Sequence, residues 1–140
     1  MPMSTTDQPL TFEQVHAVNT ARCRRWHKDE ISPWTGADWA TALGGECGEA
    51  LNIVKKLRRL ETFPPDTGQP DGTPAELADA LADELADVFL YLDLLAYHYG
   101  IDLVYAIVRK FNRKSAEQGF PEELPWPKFD FAALNGSKDA

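Results

Sequence analysis

The sequence predicts an all-α fold, a bundle of four to five helices. Three observations carry that prediction. Apolar residues recur at three- and four-residue intervals over long stretches, helix-start signals stand at the head of those stretches, and no segment alternates with the two-residue period of a strand. A chain of 140 residues fits one domain. Its expected extent is 11–134, with a flexible segment over 1–10 and a disordered one over 135–140.

The first helix is expected over 12–27. Thr11-Phe12-Glu13-Gln14 has the capping-box pattern, and Phe12, Val15, Cys23 and Trp26 follow at helical spacing. "DEISPWTG" then interrupts the periodicity with Pro33 and Gly36. A long second helix is expected from Ala37, with Leu43, Ala50, Ile53, Leu57 and Leu60 on its apolar stripe and Lys55, Lys56, Arg58 and Arg59 suiting its C-terminal dipole. Gly44, Gly45 and Gly48 each weaken a helix by roughly 0.5–1 kcal/mol relative to Ala, so close packing or access to a bound group is the expected reason for them.

"TFPPDTGQPDGTP" reads as a loop that either covers a site or connects two helices. It closes on Thr73-Pro74-Ala75-Glu76, a capping box with Pro at the first helical position. The third helix starts near 74 and runs to about Tyr99, with Leu77, Leu81, Val88, Leu92 and Leu95 as its stripe and Gly100 as its stop. Asp102 caps a fourth helix bearing Val104, Ile107, Val108 and Phe111, which ends before Gly119. "GFPEELPWPKFDF" is expected to be an extended arm packing through Phe120, Trp126 and Phe129.

A formal net charge of −8 argues against a nonspecific nucleic-acid binder or a binder of anionic membranes. The longest apolar stretch, Val88 to Tyr97, is interrupted by Asp93 and falls short of the roughly 20 residues of a membrane span. The N-terminus shows no basic segment followed by an apolar run, so no signal peptide is expected. The two cysteines, Cys23 and Cys47, lack Cys-x-x-Cys spacing, which favours a reduced, cytoplasmic setting.

The chemistry is expected in the helical seam. On the second helix Leu43, Ala50 and Leu57 form one seven-residue register and Glu46, Ile53 and Leu60 the other. On the third, Leu81, Val88 and Leu95 form one, and Glu84, Tyr91 and His98 the other. Glu46 and Glu84 thus occupy inward positions, and Glu49 and Asp87 stand three residues beyond them on the same faces. Acidic helical residues are usually solvated, but two such pairs inside apolar registers, with no Arg or Lys in matching positions, call for a cation. Asp79, Asp83 and Asp93 lie off these registers and are read as solvated. An all-oxygen ligand set favours Mg²⁺, with Mn²⁺ as a substitute, over zinc. A di-iron bundle would require two Glu-x-x-His motifs, and only Glu13-x-x-His16 fits. His16, His27 and His98 are read as packing or surface residues.

"GGECGEALNIVKK" followed by "DELADVFLYLDLLA" resembles the MazG-like all-α nucleoside triphosphate pyrophosphohydrolases, a superfamily that includes dCTP and dimeric dUTP pyrophosphatases. Its hallmark is Glu-x-x-Glu on one helix and Glu-x-x-Asp on the next, matched by Glu46, Glu49, Glu84 and Asp87. The resemblance extends from about Trp26 to Pro121 and includes "RKFNRKSAEQGFP". It implies a homodimer or homotetramer with sites completed by two chains, Mg²⁺ as cofactor, and hydrolysis of a nucleoside triphosphate to monophosphate and pyrophosphate. Glu46 and Glu49 are the catalytic candidates, Glu49 for the general base. Lys110 and Arg113 match the family's basic residues, and Lys56, on the Glu49 face, is a further phosphate candidate whose rival role is dipole complementation. For the base, Trp39, Asn52 and Tyr91 are the candidates, against which stands ordinary core packing, above all for Trp39. Lys55 and Lys56 stand where dCTP-type relatives carry an aromatic residue, so cytosine specificity is not implied. Competing readings are a phosphoribosyl-ATP pyrophosphohydrolase, a nucleotide-binding helical oligomer without turnover, and a purely structural bundle.

Overall fold

A computed structural model describes residues 8–28, 33–63 and 71–128. Four helices, α1 (Phe12–Trp26), α2 (Gly36–Thr62), α3 (Pro74–His98) and α4 (Leu103–Gln118), make up its regular structure, and the described residues contain no strand. α1 to α3 belong to one compact unit, Met1–Gly100, and α4 to a second, Ile101–Ala140. Among the described residues no helix is long and apolar enough to cross a membrane.

Each helix of the first unit opens on a threonine cap. Thr11, Thr35 and Thr73 accept from the backbone N–H three residues on, and the side chains of Gln14, Asp38 and Glu76 return the bond to the cap's own N–H. These reciprocal bonds satisfy donors that a helix start otherwise leaves unpaired. Backbone and hydroxyl bonds from Thr73 hold the Glu76 carboxyl below its ordinary range, and Thr35 does the same for Asp38. A depressed carboxyl stabilises the fold above its unfolded pKa, and that contribution is lost as pH falls through the folded value. Replacing Thr73 by Ala should cost about 1 kcal/mol in urea denaturation at pH 7. The deficit should shrink in acid as the Glu76 bonds to the cap are lost in the native chain as well.

α2 and α3, with 27 and 25 residues, form the long hairpin of the unit. They run antiparallel: Gly36 at the start of α2 lies against Tyr99 beyond the end of α3, while Arg59 near the end of α2 pairs with Asp71 just before α3 at 3.1 Å. A Cβ on Gly36 would collide with the Tyr99 hydroxyl and push that exposed ring aside. α1 packs on α3, with Phe12 edge-on to Phe89 at 5.0 Å. The core gathers Cys23 from α1, Trp39 from α2 and Leu94 from α3, with Tyr91 and Leu95 against it.

The seam registers hold through their middle, where Ala50 and Ile53 are buried and Leu43, Leu57, Leu81, Val88 and Leu95 half-buried. Three expectations need correction. Asp93 is buried, not solvated, because α1 covers the face of α3 that the α2–α3 seam leaves out. Leu92, placed on the apolar stripe of α3, is exposed. Phe120 is exposed as well and does not anchor the arm.

In the second unit Asp102 caps α4 by accepting from Tyr105 N–H, and Gly119 ends it in the left-handed conformation, φ 70°, where a Cβ would be strained. The arm after it is held mainly by Asn112, whose side chain donates to the Leu124 carbonyl at 2.9 Å and accepts from its N–H at 2.8 Å. Trp126 lies against Tyr105, while Phe129 and the flanking segments 1–7 and 135–140 fall outside the described residues.

Candidate metal centre

The antiparallel hairpin sets the middle of α2 against the middle of α3, which brings Glu46, Glu84 and Asp87 together. One carboxylate oxygen from each lies within 4.8 Å of the others. Glu46 and Glu84 are half-buried and Asp87 is exposed at the rim. Glu49 is exposed and stands outside this trio, but near enough for its charge to act on Glu84 and Glu46. Three of the four carboxylates expected in the seam thus converge, and Glu49 stands outside them.

The cluster strains against its own charge. Loss of hydration raises the Glu46 carboxyl above its ordinary range, with the charges of Asp87 and Glu49 adding to it. Glu84 is raised by the same desolvation, then by the charges of Glu49 and Glu46 and by that of Asp87. Among the described residues no Lys or Arg forms an ion pair with any of the four. The donor set is entirely oxygen, open at one side and short of positive charge, which suits a hard divalent cation such as Mg²⁺. Gly44, Gly45 and Gly48 have nothing within 4 Å of where a Cβ would be, so packing within the described chain does not explain them.

Beside the carboxylates lies a cleft of about 450 Å³, a volume in the range of small-molecule sites. Its aromatic wall is Trp26, His27, Trp34, Trp39 and Tyr91, and Glu46 and Asp87 line it too. Trp34 and Trp39 are tilted against each other at 4.5 Å, and Tyr91 stands 6.3 Å from Trp39. Arg22 lies over the Trp26 ring at 5.5 Å and also faces the cleft.

Of the base candidates, Trp39 and Tyr91 line the cleft, Trp39 while being part of the core as well. Asn52 is exposed and Lys56 half-buried, and neither lines it. Lys110 and Arg113 are exposed on α4, in the second unit. Sequence reasoning missed Asn19, Arg22, Trp26 and Trp34 as cleft residues. The signal that could have found them is the density of Trp and His between α1 and the start of α2, beside polar residues on α1. No protein-family model matches the chain, and no curated protein matches it.

Proposed function

We propose that the protein is a metal-dependent nucleoside triphosphate pyrophosphohydrolase of the MazG-like all-α type, removing noncanonical or surplus NTPs or dNTPs as NMP and pyrophosphate. One observation carries this reading: Glu46 and Asp87 belong both to the carboxylate cluster and to the wall of the aromatic cleft. A base stacked among the tryptophans would therefore hold its phosphates beside the carboxylates, and aromatic faces stack any base.

Glu46, Glu84 and Asp87 would hold Mg²⁺, with Glu49 beside Glu84. Bound there, Mg²⁺ supplies neutralisation of phosphate charge and a lowered pKa for water. Glu49, exposed and outside the trio, takes the proton as the water oxygen bonds to the α-phosphorus, and the bond from that phosphorus to the bridging oxygen breaks to release pyrophosphate. Lys56 of α2 is the cation of this unit that the reading offers to the phosphates, and Lys110 and Arg113 of α4 remain candidates through the family resemblance alone. A homodimer or homotetramer belongs to the same reading. Leu51 and Val54 on α2 and Leu85 and Leu92 on α3 are exposed, and the α2 glycines leave room for a second copy to approach. Two free cysteines accord with a cytoplasmic location.

Purified protein with Mg²⁺, offered a panel of canonical and modified NTPs and dNTPs, should yield NMP and pyrophosphate from one or a few of them. Production of NDP and phosphate instead, or no turnover of any nucleotide including phosphoribosyl-ATP, would sink the reading.

A further inference from the structure

The cleft contains one polar group whose hydrogen-bonding sense is fixed by its surroundings. Asn19, on α1, is 4% exposed and lines the cleft. Its Nδ2 donates to the Leu90 carbonyl at 3.0 Å and to Asp93 Oδ2 at 2.9 Å. A carbonyl and a carboxylate can only accept, so a flipped amide would set its oxygen against two acceptors. Asp93 is itself buried and is held on its other oxygen by His16 Nδ1 at 2.7 Å. Both amide hydrogens are therefore already committed to acceptors of the protein. The amide atom left to offer is Oδ1, whose one partner among the described residues is a long 3.4 Å contact from Arg22, another cleft residue.

We propose that Asn19 Oδ1 is a specificity-determining acceptor, kept an acceptor by Asp93 as its positioning residue, and that the cleft favours a base that sets an N–H donor at Asn19 over one of the same shape that has none there. This rests on the reading of the cleft as a base site and names the class of base it takes. The exocyclic amine of cytosine or the ring imide of uracil can donate to Asn19, and Arg22 stands beside it to donate to a neighbouring ring nitrogen or carbonyl. A base of the same shape without an N–H leaves a buried acceptor stripped of water and unpaired, which costs about tenfold or more in affinity. Asp93 makes no contact with the ligand in this scheme. Its substitution by Asn supplies a donor as well as an acceptor, so the Asn19 amide can turn over and present its NH₂ instead.

The test uses unphosphorylated ribonucleosides and the quenching of tryptophan fluorescence, so it depends neither on metal nor on turnover. Cytidine and uridine should bind the wild-type protein at least tenfold more tightly than pyrimidin-2-one riboside, which has the same ring and no N–H donor. In Asp93→Asn that ratio should collapse towards one, with the folded state checked by circular dichroism. A change in packing alone would weaken all three nucleosides together and leave the ratio intact. Equal binding of the three by wild type overturns the proposal even if the variant fails to fold, as does an unchanged ratio in a folded variant. Failure of hydrolysis with the ratio preserved overturns the enzyme reading and leaves the base selection standing.

Discussion

Glu46→Gln should lower hydrolysis on the order of a hundredfold or more, the scale on which removal of one charge-stabilising group acts in other active sites, while the metal-free protein stays folded and becomes more stable at neutral pH. The two effects share one cause. Glu46 sits half-buried among Glu84, Asp87 and Glu49, and desolvation and those charges raise its carboxyl above the ordinary range. A carboxyl raised on folding binds its proton more tightly in the native than in the unfolded chain, so its contribution to stability falls as pH climbs from the unfolded pKa to the folded one. Above that window the ionised group opposes folding, and below it the penalty is gone. The advantage of Glu46→Gln should therefore be present at neutral pH, in a chelator, and vanish below the ordinary carboxylate range. Glu84→Gln should follow the same course, since Glu84 is raised by the same causes. Urea denaturation across pH measures both. Adding Mg²⁺ should raise the Tm of wild type more than that of either variant, because a cation bound to the folded state stabilises it by mass action. Undiminished hydrolysis by a folded Glu46→Gln protein would remove these carboxylates from the proposed chemistry, and equal Mg²⁺ stabilisation would remove the cation.

The helices and the carboxylates were legible in the sequence for one physical reason: both are properties of a single helix period. Thr11 and Thr73 cap where a threonine three residues ahead of Gln or Glu is expected to, whereas the Thr35 cap, which closes on Asp38, is not among those expected, and the seam residues Ala50 and Ile53 are buried where the seven-residue register puts them. Glu46 and Glu84 fall in that register, so their convergence follows from two periodic patterns and an antiparallel hairpin. Asp93 was not legible. Its burial depends on α1 crossing a face of α3 that the α2–α3 pattern assigns to water, and no local pattern encodes that crossing. The His16 and Asn19 bonds to Asp93 span 77 and 74 residues of sequence. The same holds for the cleft. Trp26 reads as part of the first helix's apolar spacing and Trp34 falls in the break after it, and only the packing of α1 beside α2 and α3 turns them into a wall. Exposure of Leu92 and Phe120 has a related origin, since periodicity shows which side of a segment is apolar and not whether a neighbour from the same chain covers it.

Trp39→Ala should be the most damaging single truncation, because this side chain serves the core and the cleft at once. Trp39 is 5% exposed and packs with Cys23 and Leu94, and its ring meets Trp34 at 4.5 Å, Tyr91 at 6.3 Å and His27 at 6.4 Å. Removing a buried indole costs about 3–5 kcal/mol through lost burial and the cavity left behind. That is a large part of the 5–15 kcal/mol by which a domain is usually stable. Loss of nucleoside binding in such a variant could reflect unfolding alone, so the stacking role needs a substitution that spares the core. Trp34 supplies it, being 37% exposed while lining the same cleft. Trp34→Ala should cost far less stability than Trp39→Ala, yet lose about 1–3 kcal/mol of base affinity if stacking holds the ligand. Trp39→Phe should fall between the two in stability and retain part of the binding, since a smaller aromatic plane remains. Denaturation and fluorescence titration of the three variants separate the roles. Unchanged nucleoside affinity in Trp34→Ala would mean that the aromatic wall is core packing open to solvent, and that the base is held elsewhere.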